Sequence, residues 1–366
     1  MMSDSTTPSP RTGPPSLREG GYVIVLLIVV SAMLLTWALW PAVFRLADRP
    51  LGDGADPASY GFDLTNLTID QDDLAAVLLH RDMVPVMNDP AIITAQRALE
   101  INEKERGKYL VPSDRVIGVV IKGDARAYPI SILNVHEVIN DTLGSTPIAV
   151  IWHWPSAMTG VYSRAFGGRT LTFGTTGLLV DGALVVYDVA QDGAIGGEQL
   201  FLPIESRAIS GGETDTSLAL TPIPMTLTTW ESWQMAYPET TVIDRDLSFA
   251  KRYKKANPRT YFLTDDLPFH VTPPPPDTLR PKSSVHIVTS PTTRRVIPEA
   301  WIIDAAGDVG SWSHDFDDVA VTFTIEDHRI VSAIATGPAK ASITQAAWFA
   351  WYARHGDGDV IDPREL

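Results

Sequence analysis

The stretch VIGVVIKGDARAYP, residues 116–129, decides the class of this chain. Val116–Ile121 is a short apolar run, mostly β-branched, and Gly123-Asp124 follows it at hairpin spacing. Runs of the same texture recur at Ile148–Trp152, Val161–Tyr162, Thr170–Phe173 and Ala183–Tyr187, punctuated by Gly-Gly and Asp-Gly pairs. This pattern predicts an antiparallel, β-rich body. Helices are the minor element. Asp89-Pro90 sets an acceptor at an N-cap and proline at the first helical position, which predicts a helix over Ala91–Glu105 ending near Gly107. Thr229 caps a second predicted helix, Trp230–Tyr237, which Pro238 terminates before a strand at Val242-Ile243-Asp244.

That ending occurs twice. Trp230-x-x-Trp233 before Val242-Ile243-Asp244 matches Trp348-x-x-Trp351 before Val360-Ile361-Asp362, with the same spacing from second tryptophan to valine. Residues 116–129 find a weaker echo in 285–298, where Arg126-Ala127-Tyr128-Pro129 is answered by Arg295-Val296-Ile297-Pro298. Two landmarks in one order predict an internal duplication. The second copy is shorter, with β runs at Val285–Val288, Val319–Ile325 and Ile330–Ala333. Between the copies, Pro273-Pro274-Pro275-Pro276 is a stiff stretch suited to spacing two halves. The tryptophan pairs lie three apart on one helical face and are expected to anchor the core, with a sugar- or base-stacking platform as the alternative.

At the other end of the chain, Tyr22–Phe44 carries no charged residue and is flanked by Arg18, Glu19 and Arg45. As a helix it spans roughly 30 Å, about one bilayer core. A cleaved signal peptide is the rival, but its apolar region is usually only about 7–15 residues long, and this run continues through Trp37, Trp40 and Pro41. An uncleaved single-pass anchor is therefore expected, with Trp37 and Trp40 at the far interface. Arg11 and Arg18 before the span balance Arg45 and Arg49 after it, so charge does not set the orientation; a short tail inside and a large domain outside is the usual arrangement.

Composition excludes several classes. A formal charge of −15 over 366 residues argues against a nucleic-acid partner. The one basic cluster, Lys251, Arg252, Lys254 and Lys255, reads as a solvated face or a lipid-headgroup contact. The absence of cysteine removes disulfides, thiolate nucleophiles, zinc ribbons and iron–sulfur ligation. Phosphate loops are missing, because Gly167-Gly168 and Gly211-Gly212 lack a following lysine and the strand–loop–helix setting. Ser156 is not in a Gly-x-Ser-x-Gly elbow, and no spacing singles out a triad.

Several segments taken together carry a resemblance. Tyr60-Gly61-Phe62-Asp63-Leu64, Arg81-Asp82-Met83-Val84-Pro85, Asn134-Val135-His136-Glu137-Val138-Ile139-Asn140-Asp141, Leu171-Thr172-Phe173-Gly174, Leu184-Val185-Val186-Tyr187-Asp188 and Thr228-Thr229-Trp230-Glu231-Ser232-Trp233 occur in this order. With residues 116–129, the chain resembles the domain-of-unknown-function family 3179, strongly over residues 60–244 and weakly beyond. The resemblance implies an exported or anchored protein and assigns no activity. In many members the strand matching Ile148–Trp152 runs into a motif with two cysteines that looks like a metal or redox site. Here His153 and Ser156 fall at those places, so thiolate chemistry is absent. A tryptophan-containing stretch of the family is also not recognisable at Gly193–Arg207.

A metal site can still be drawn from side chains. His136, His153 and a carboxylate from Glu137 or Asp141 would form a three-ligand open site of the kind used by copper, zinc or iron, although no HxH or HExxH spacing occurs. A hydrogen-bonded histidine at the base of a loop is the alternative. Taken together, the expected class is α+β: a β-rich antiparallel body with short helices, internally duplicated, plus one N-terminal transmembrane helix. The expected organisation is a disordered tail (1–21), an anchor (22–44), a tether and helical lead-in (45–110), a first copy (111–245), a proline-rich linker (246–284) and a second copy (285–366). The expected function is a membrane-tethered, periplasmic or extracellular binding or accessory protein that engages a protein partner or small ligand; a metal-dependent enzyme or metal carrier is the alternative. No cofactor follows from the residues.

Overall fold

The computed structural model describes residues 21–47, 50–104, 109–166, 168–189, 198–210, 219–256, 258–338 and 341–366. They fall into two compact units, within residues 1–50 and 51–366. In the first, helix α1 (Gly21–Ala47) takes up the whole expected anchor. Its described side chains, Tyr22 to Ala38, are exposed, and the rest of the run to Phe44 lies outside the described side chains. Among the described residues, no helix is long and apolar enough to cross a membrane. The tail before Gly21 also lies outside them.

The second unit opens with β1 (Leu74–Ala76), β2 (Met87–Asn88), β3 (Ile92–Thr94) and α2 (Ala95–Lys104). A hairpin of β4 (Arg115–Ile121) and β5 (Asp124–Pro129) leads through α3 (Ile130–His136) to three antiparallel strands, β6 (Val138–Leu143), β7 (Thr146–His153) and β8 (Met158–Ser163). An insertion follows: β9 (Ala165–Phe166), β10 (Arg169–Thr170), β11 (Phe173–Val180), β12 (Ala183–Asp188), β13 (Leu200–Leu202) and β14 (Arg207–Ala208). Then come β15 (Thr226–Thr229), α4 (Trp230–Ala236), β16 (Thr241–Ile243) and α5 (Ala250–Lys255). The remainder runs β17 (Ser284–Thr289), β18 (Arg294–Pro298), α6 (Glu299–Ala306), β19 (Ser311–Phe316), β20 (Val319–Glu326), β21 (Arg329–Thr336), β22 (Ser342–Ala347) and α7 (Trp348–His355). The class is α+β, β-rich with short helices.

The pairings of the two halves correspond. β4 pairs with β5 as β17 pairs with β18, and β15 joins β4 as β22 joins β17. Val242 lies parallel to Ala127, and Val360 makes a parallel bridge to Val296. In each half a proline in the extended region, Pro129 or Pro298, releases the hairpin into its helix. Yet segments 111–245 and 285–366 do not each form a large sheet of their own. The eight-stranded sheet runs β19-β20-β21-β15-β4-β5-β16-β3, and the seven-stranded sheet runs β18-β17-β22-β8-β7-β6-β2. Each hairpin therefore shares a sheet with the other half's three-stranded meander, through β15·β21 and β22·β8. A five-stranded sheet, β1-β11-β12-β13-β14, holds most of the insertion.

Two expectations need correction. Ile92–Thr94 is strand, not helix, because these residues pair with β16, and α2 starts four residues later than expected, at Ala95, with the Thr94 hydroxyl accepting the Arg97 N–H at 3.1 Å. The proline-rich segment does not space two bodies apart. It packs against both halves, with the Thr272 N–H donating to Asp181 of the first at 2.9 Å and Phe269 against Phe349 of the second at 5.3 Å.

All four tryptophans of the repeated motif are buried. Trp233 lies flat on β4, so that a Cβ at Gly118 would stand 2.2 Å from its ring. We expect Gly118→Ala to cost roughly 1–3 kcal/mol by overpacking, read as a lower urea midpoint. An unchanged midpoint would show that the indole does not rest on this strand.

Candidate functional site

The first half turns from α3 into β6 at one residue, Glu137. Its backbone has φ +56°, in the left-handed region, and its N–H caps the helix by donating to the Leu133 carbonyl at 2.8 Å. Its own carbonyl accepts the Trp152 N–H at 2.8 Å, which locks the turn to β7. At the corresponding turn of the second half, after α6, stands Gly307, with φ +50°. Glycine adopts this conformation freely, whereas a glutamate is strained there by about 1–3 kcal/mol. The first half thus carries a buried acid where backbone geometry favours glycine.

Glu137 is 7 % exposed and His153, at the end of β7, is 3 % exposed. Both line one cavity of about 300 Å³, whose walls include Leu78, Leu178, Leu184 and Phe269. A β-bulge between Thr175 and Leu179 shapes one wall, with Gly177 at φ +78° and its carbonyl accepting from the Val77 and Leu78 N–H groups. The Glu137 carboxyl has no hydrogen-bond partner among the described residues, and burial alone pushes its pKa up to about 8. Burial likewise pushes His153 down to about 3, so the imidazole is neutral. Its Nδ1 lies 2.7 Å from the Ser156 hydroxyl. Tyr261 also lines the cavity, but its hydroxyl is shut away from the open space, without a hydrogen-bond partner among the described residues and with its pKa raised by burial. At neutral pH the cavity thus presents an acid and an imidazole, both uncharged, within an apolar wall.

The other expected ligands point elsewhere. His136 donates from Nδ1 to the Pro85 carbonyl at 2.8 Å; burial keeps the ring neutral, so Nε2 accepts from the Tyr253 hydroxyl, also at 2.8 Å. It ties α3 to α5 and has no nitrogen left for a metal. One Asp141 oxygen accepts from Arg126 at 2.6 Å and Tyr128 at 2.7 Å, and the other from the Thr142 N–H at 2.6 Å. Of the four residues, only Glu137 and His153 are brought together. Among the described residues, no group of three His, Asp or Glu is placed to hold a metal ion. Ser156 is fully buried and does not line the cavity, so its contact with His153 offers no exposed nucleophile. Tyr261 and Phe269 escaped the sequence reading because they come from the segment 246–284, read there as a linker; its aromatic residues were the only signal.

A family model, "Protein of unknown function (DUF3179)", matches residues 81–341. The chain belongs to this family. The match takes in the first half and residues 285–341 of the second, beyond the weak likeness that its residues suggested. No curated protein and no solved structure matches. His153 and Ser156, the two positions at which the resemblance expects cysteines, are side by side and joined by a hydrogen bond. Of the segment Gly193–Arg207, where the resemblance expects the family's tryptophan stretch, residues 193–197 lie outside the described residues.

The opposed shifts of Glu137 and His153 give a pH signature. Glu137 keeps its proton in the fold from its ordinary 4.5 up to about 8, so stability falls as pH rises through that window. His153 stays neutral in the fold from its ordinary 6.5 down to about 3, so its contribution falls as pH drops. The two slopes oppose each other between 4.5 and 6.5, and Glu137 acts alone above that. We expect Glu137→Gln to gain about 2 kcal/mol over the wild type between pH 6.5 and 8, measured by urea unfolding. A difference that does not change with pH would show that Glu137 titrates normally.

Proposed function

We propose that this protein is a membrane-tethered, extracytoplasmic binding protein for a small, neutral, largely apolar molecule bearing a carbonyl or hydroxyl oxygen. The observation that carries this reading is the Glu137 cavity: a buried acid and a buried imidazole, both neutral at physiological pH, the carboxyl without a hydrogen-bond partner among the described residues, set in an apolar wall. Such groups cost free energy until something hydrogen-bonds to them. A volume of about 300 Å³ suits a ligand of one or two rings. A charged ligand would be desolvated without an opposite charge to meet it. The strain at Glu137 supports a site retained for its chemistry rather than for the turn.

The tether rests on α1, whose described apolar side chains are all exposed and match a lipid environment. The matching pairings of the two halves support descent by duplication, with the site developed in the first half and Gly307 retained in the second.

The test uses the full chain in nanodiscs with 2-acetonaphthone, a neutral two-ring ketone, and naphthalene-2-sulfonate as the charged control. We expect the ketone to raise the melting temperature at pH 6.5, and to lose its effect as Glu137 ionises above pH 8 or in Glu137→Leu. Equal stabilisation of Glu137→Leu, or a sulfonate as effective as the ketone, would overturn the reading. Separately, alkaline carbonate is expected to leave the full chain in the membrane; its release would refute the tether.

A further inference from the structure

We propose that a second cavity, on the seam between the two halves, binds a small hydroxylated carboxylate of the sugar-acid class. It shares no lining residue with the Glu137 cavity and is independent of the function proposed above. The cavity, of about 230 Å³, lies where the two strands of the seam part. β8 and β22 pair at Thr159 and Gln345; farther along β8 a segment of the first half takes the place of β22, with Tyr162 bridging Pro222 and the Ile223 N–H donating to the Val161 carbonyl at 2.8 Å. Thr159, Tyr162 and Pro222 of the first half line the cavity together with Ile287, Ser342 and Thr344 of the second. The space is enough for a single ring.

The correspondence of the halves shows how the space arises and what is new in it. Ile287 opposite Thr344 answers Gly118 opposite Thr226. Trp233 lies flat on β4 because Gly118 has no side chain, whereas Ile287 bars Trp351 from the same position on β17, and both Ile287 and Trp351 line the cavity. On the hairpin and the helix, Arg294 and His355 stand where the first half carries Ala125 and Tyr237, which line an opening of their own. The second half therefore holds a guanidinium and an imidazole in place of a methyl group and a phenol.

Those two groups gather around one indole. The His355 ring stacks on Trp351 with centroids 3.8 Å apart, and the Arg294 guanidinium carbon lies 5.6 Å from the centre of the same ring. Arg294 Nε donates to Asp359 at 2.6 Å, and its two terminal nitrogens have no partner among the described residues. A guanidinium offers paired N–H groups that match the two oxygens of a carboxylate. The acid that lines the cavity does not compete for them, because Glu205 accepts from Arg207 at 2.6 Å and from Arg354 at 2.7 Å. Burial, and then the charge of Arg294, hold the His355 pKa below its ordinary value, so the ring is neutral at pH 7, and its Nε2 has no partner among the described residues. Thr289, Ser342 and Thr344 stand on the same face of the sheet as Ile287, and the Thr344 hydroxyl is unpaired among the described residues. Hydroxyls and a neutral imidazole donate and accept, which suits the hydroxyls of a ligand, while Arg294 meets its charge. A phosphate dianion fits less well, since one guanidinium would face two charges beside Glu205 and Asp359.

The probe is D-glucuronate, titrated by calorimetry into the full chain in nanodiscs at pH 7, with D-glucose and glucose 6-phosphate as controls. We expect glucuronate to bind, and both controls to bind roughly ten-fold or more weakly. Arg294→Ala should weaken glucuronate binding roughly ten-fold or more, and Thr344→Val, which keeps the branched shape without the hydroxyl, about five-fold. Glu137→Leu should leave it unchanged. No binding of glucuronate at millimolar concentration, a control that binds as tightly, or undiminished binding by Arg294→Ala and Thr344→Val would overturn the proposal. Loss of binding in Glu137→Leu would put the ligand in the other cavity and overturn it as well. Should Arg294→Ala melt far below the wild type, Thr344→Val decides alone. Failure of the Glu137 cavity to take the ketone would leave these readouts unchanged.

Discussion

Neither half of the body completes either of the two large sheets alone. β15 leaves the hairpin of the first half and pairs with β21 of the second, with Leu227 opposite Ala333, while β22 of the second half reaches β8 of the first, with Gln345 opposite Thr159. Every other sheet contact is built on one side or the other of these two seams. A hairpin with one return strand is too small to hold itself together in water, and an isolated meander leaves an open edge. Exchange satisfies both needs at once. It also explains why residues 51–366 behave as one compact unit despite the correspondence of their parts.

The same arrangement places the cavity. β7 is an inner strand of its sheet, held between β6 and β8, and His153 at its end pairs with Met158 of β8. The turn at Glu137 is held from its N–H by α3 and from its carbonyl by β7, and that double hold keeps an acid in a left-handed conformation. The insertion supplies the bulged wall at Gly177, and the segment after α5 supplies Tyr261 and Phe269. Four separate parts of the chain thus meet around one carboxyl that none of them hydrogen-bonds.

Local signals in the sequence were legible where local physics decided the outcome. The alternation around Gly123, the Thr229 cap whose hydroxyl accepts the Ser232 N–H, and the burial of the paired tryptophans all appear as expected. Ile92–Thr94 misled because the Asp89-Pro90 signal is that of a helix start, and only pairing with β16, about 150 residues away, makes it a strand. The metal reading rested on residue type, which does not set where a side chain points. His136 and His153 are both plausible ligands by type, but side-chain direction sent one to Pro85 and Tyr253 and the other into the cavity.

The sequence by itself determined the β-rich class, the family, the correspondence of the two endings and the absence of cysteine, because each is carried by residue type and short-range spacing. Only the tertiary structure decided that the halves exchange meanders, that the proline-rich segment is a cavity wall, and that Glu137 is a buried neutral acid. Those outcomes depend on contacts between residues far apart in the chain. Desolvation, which sets the charge of Glu137 and His153, is a property of what surrounds a group and is not encoded at any single position.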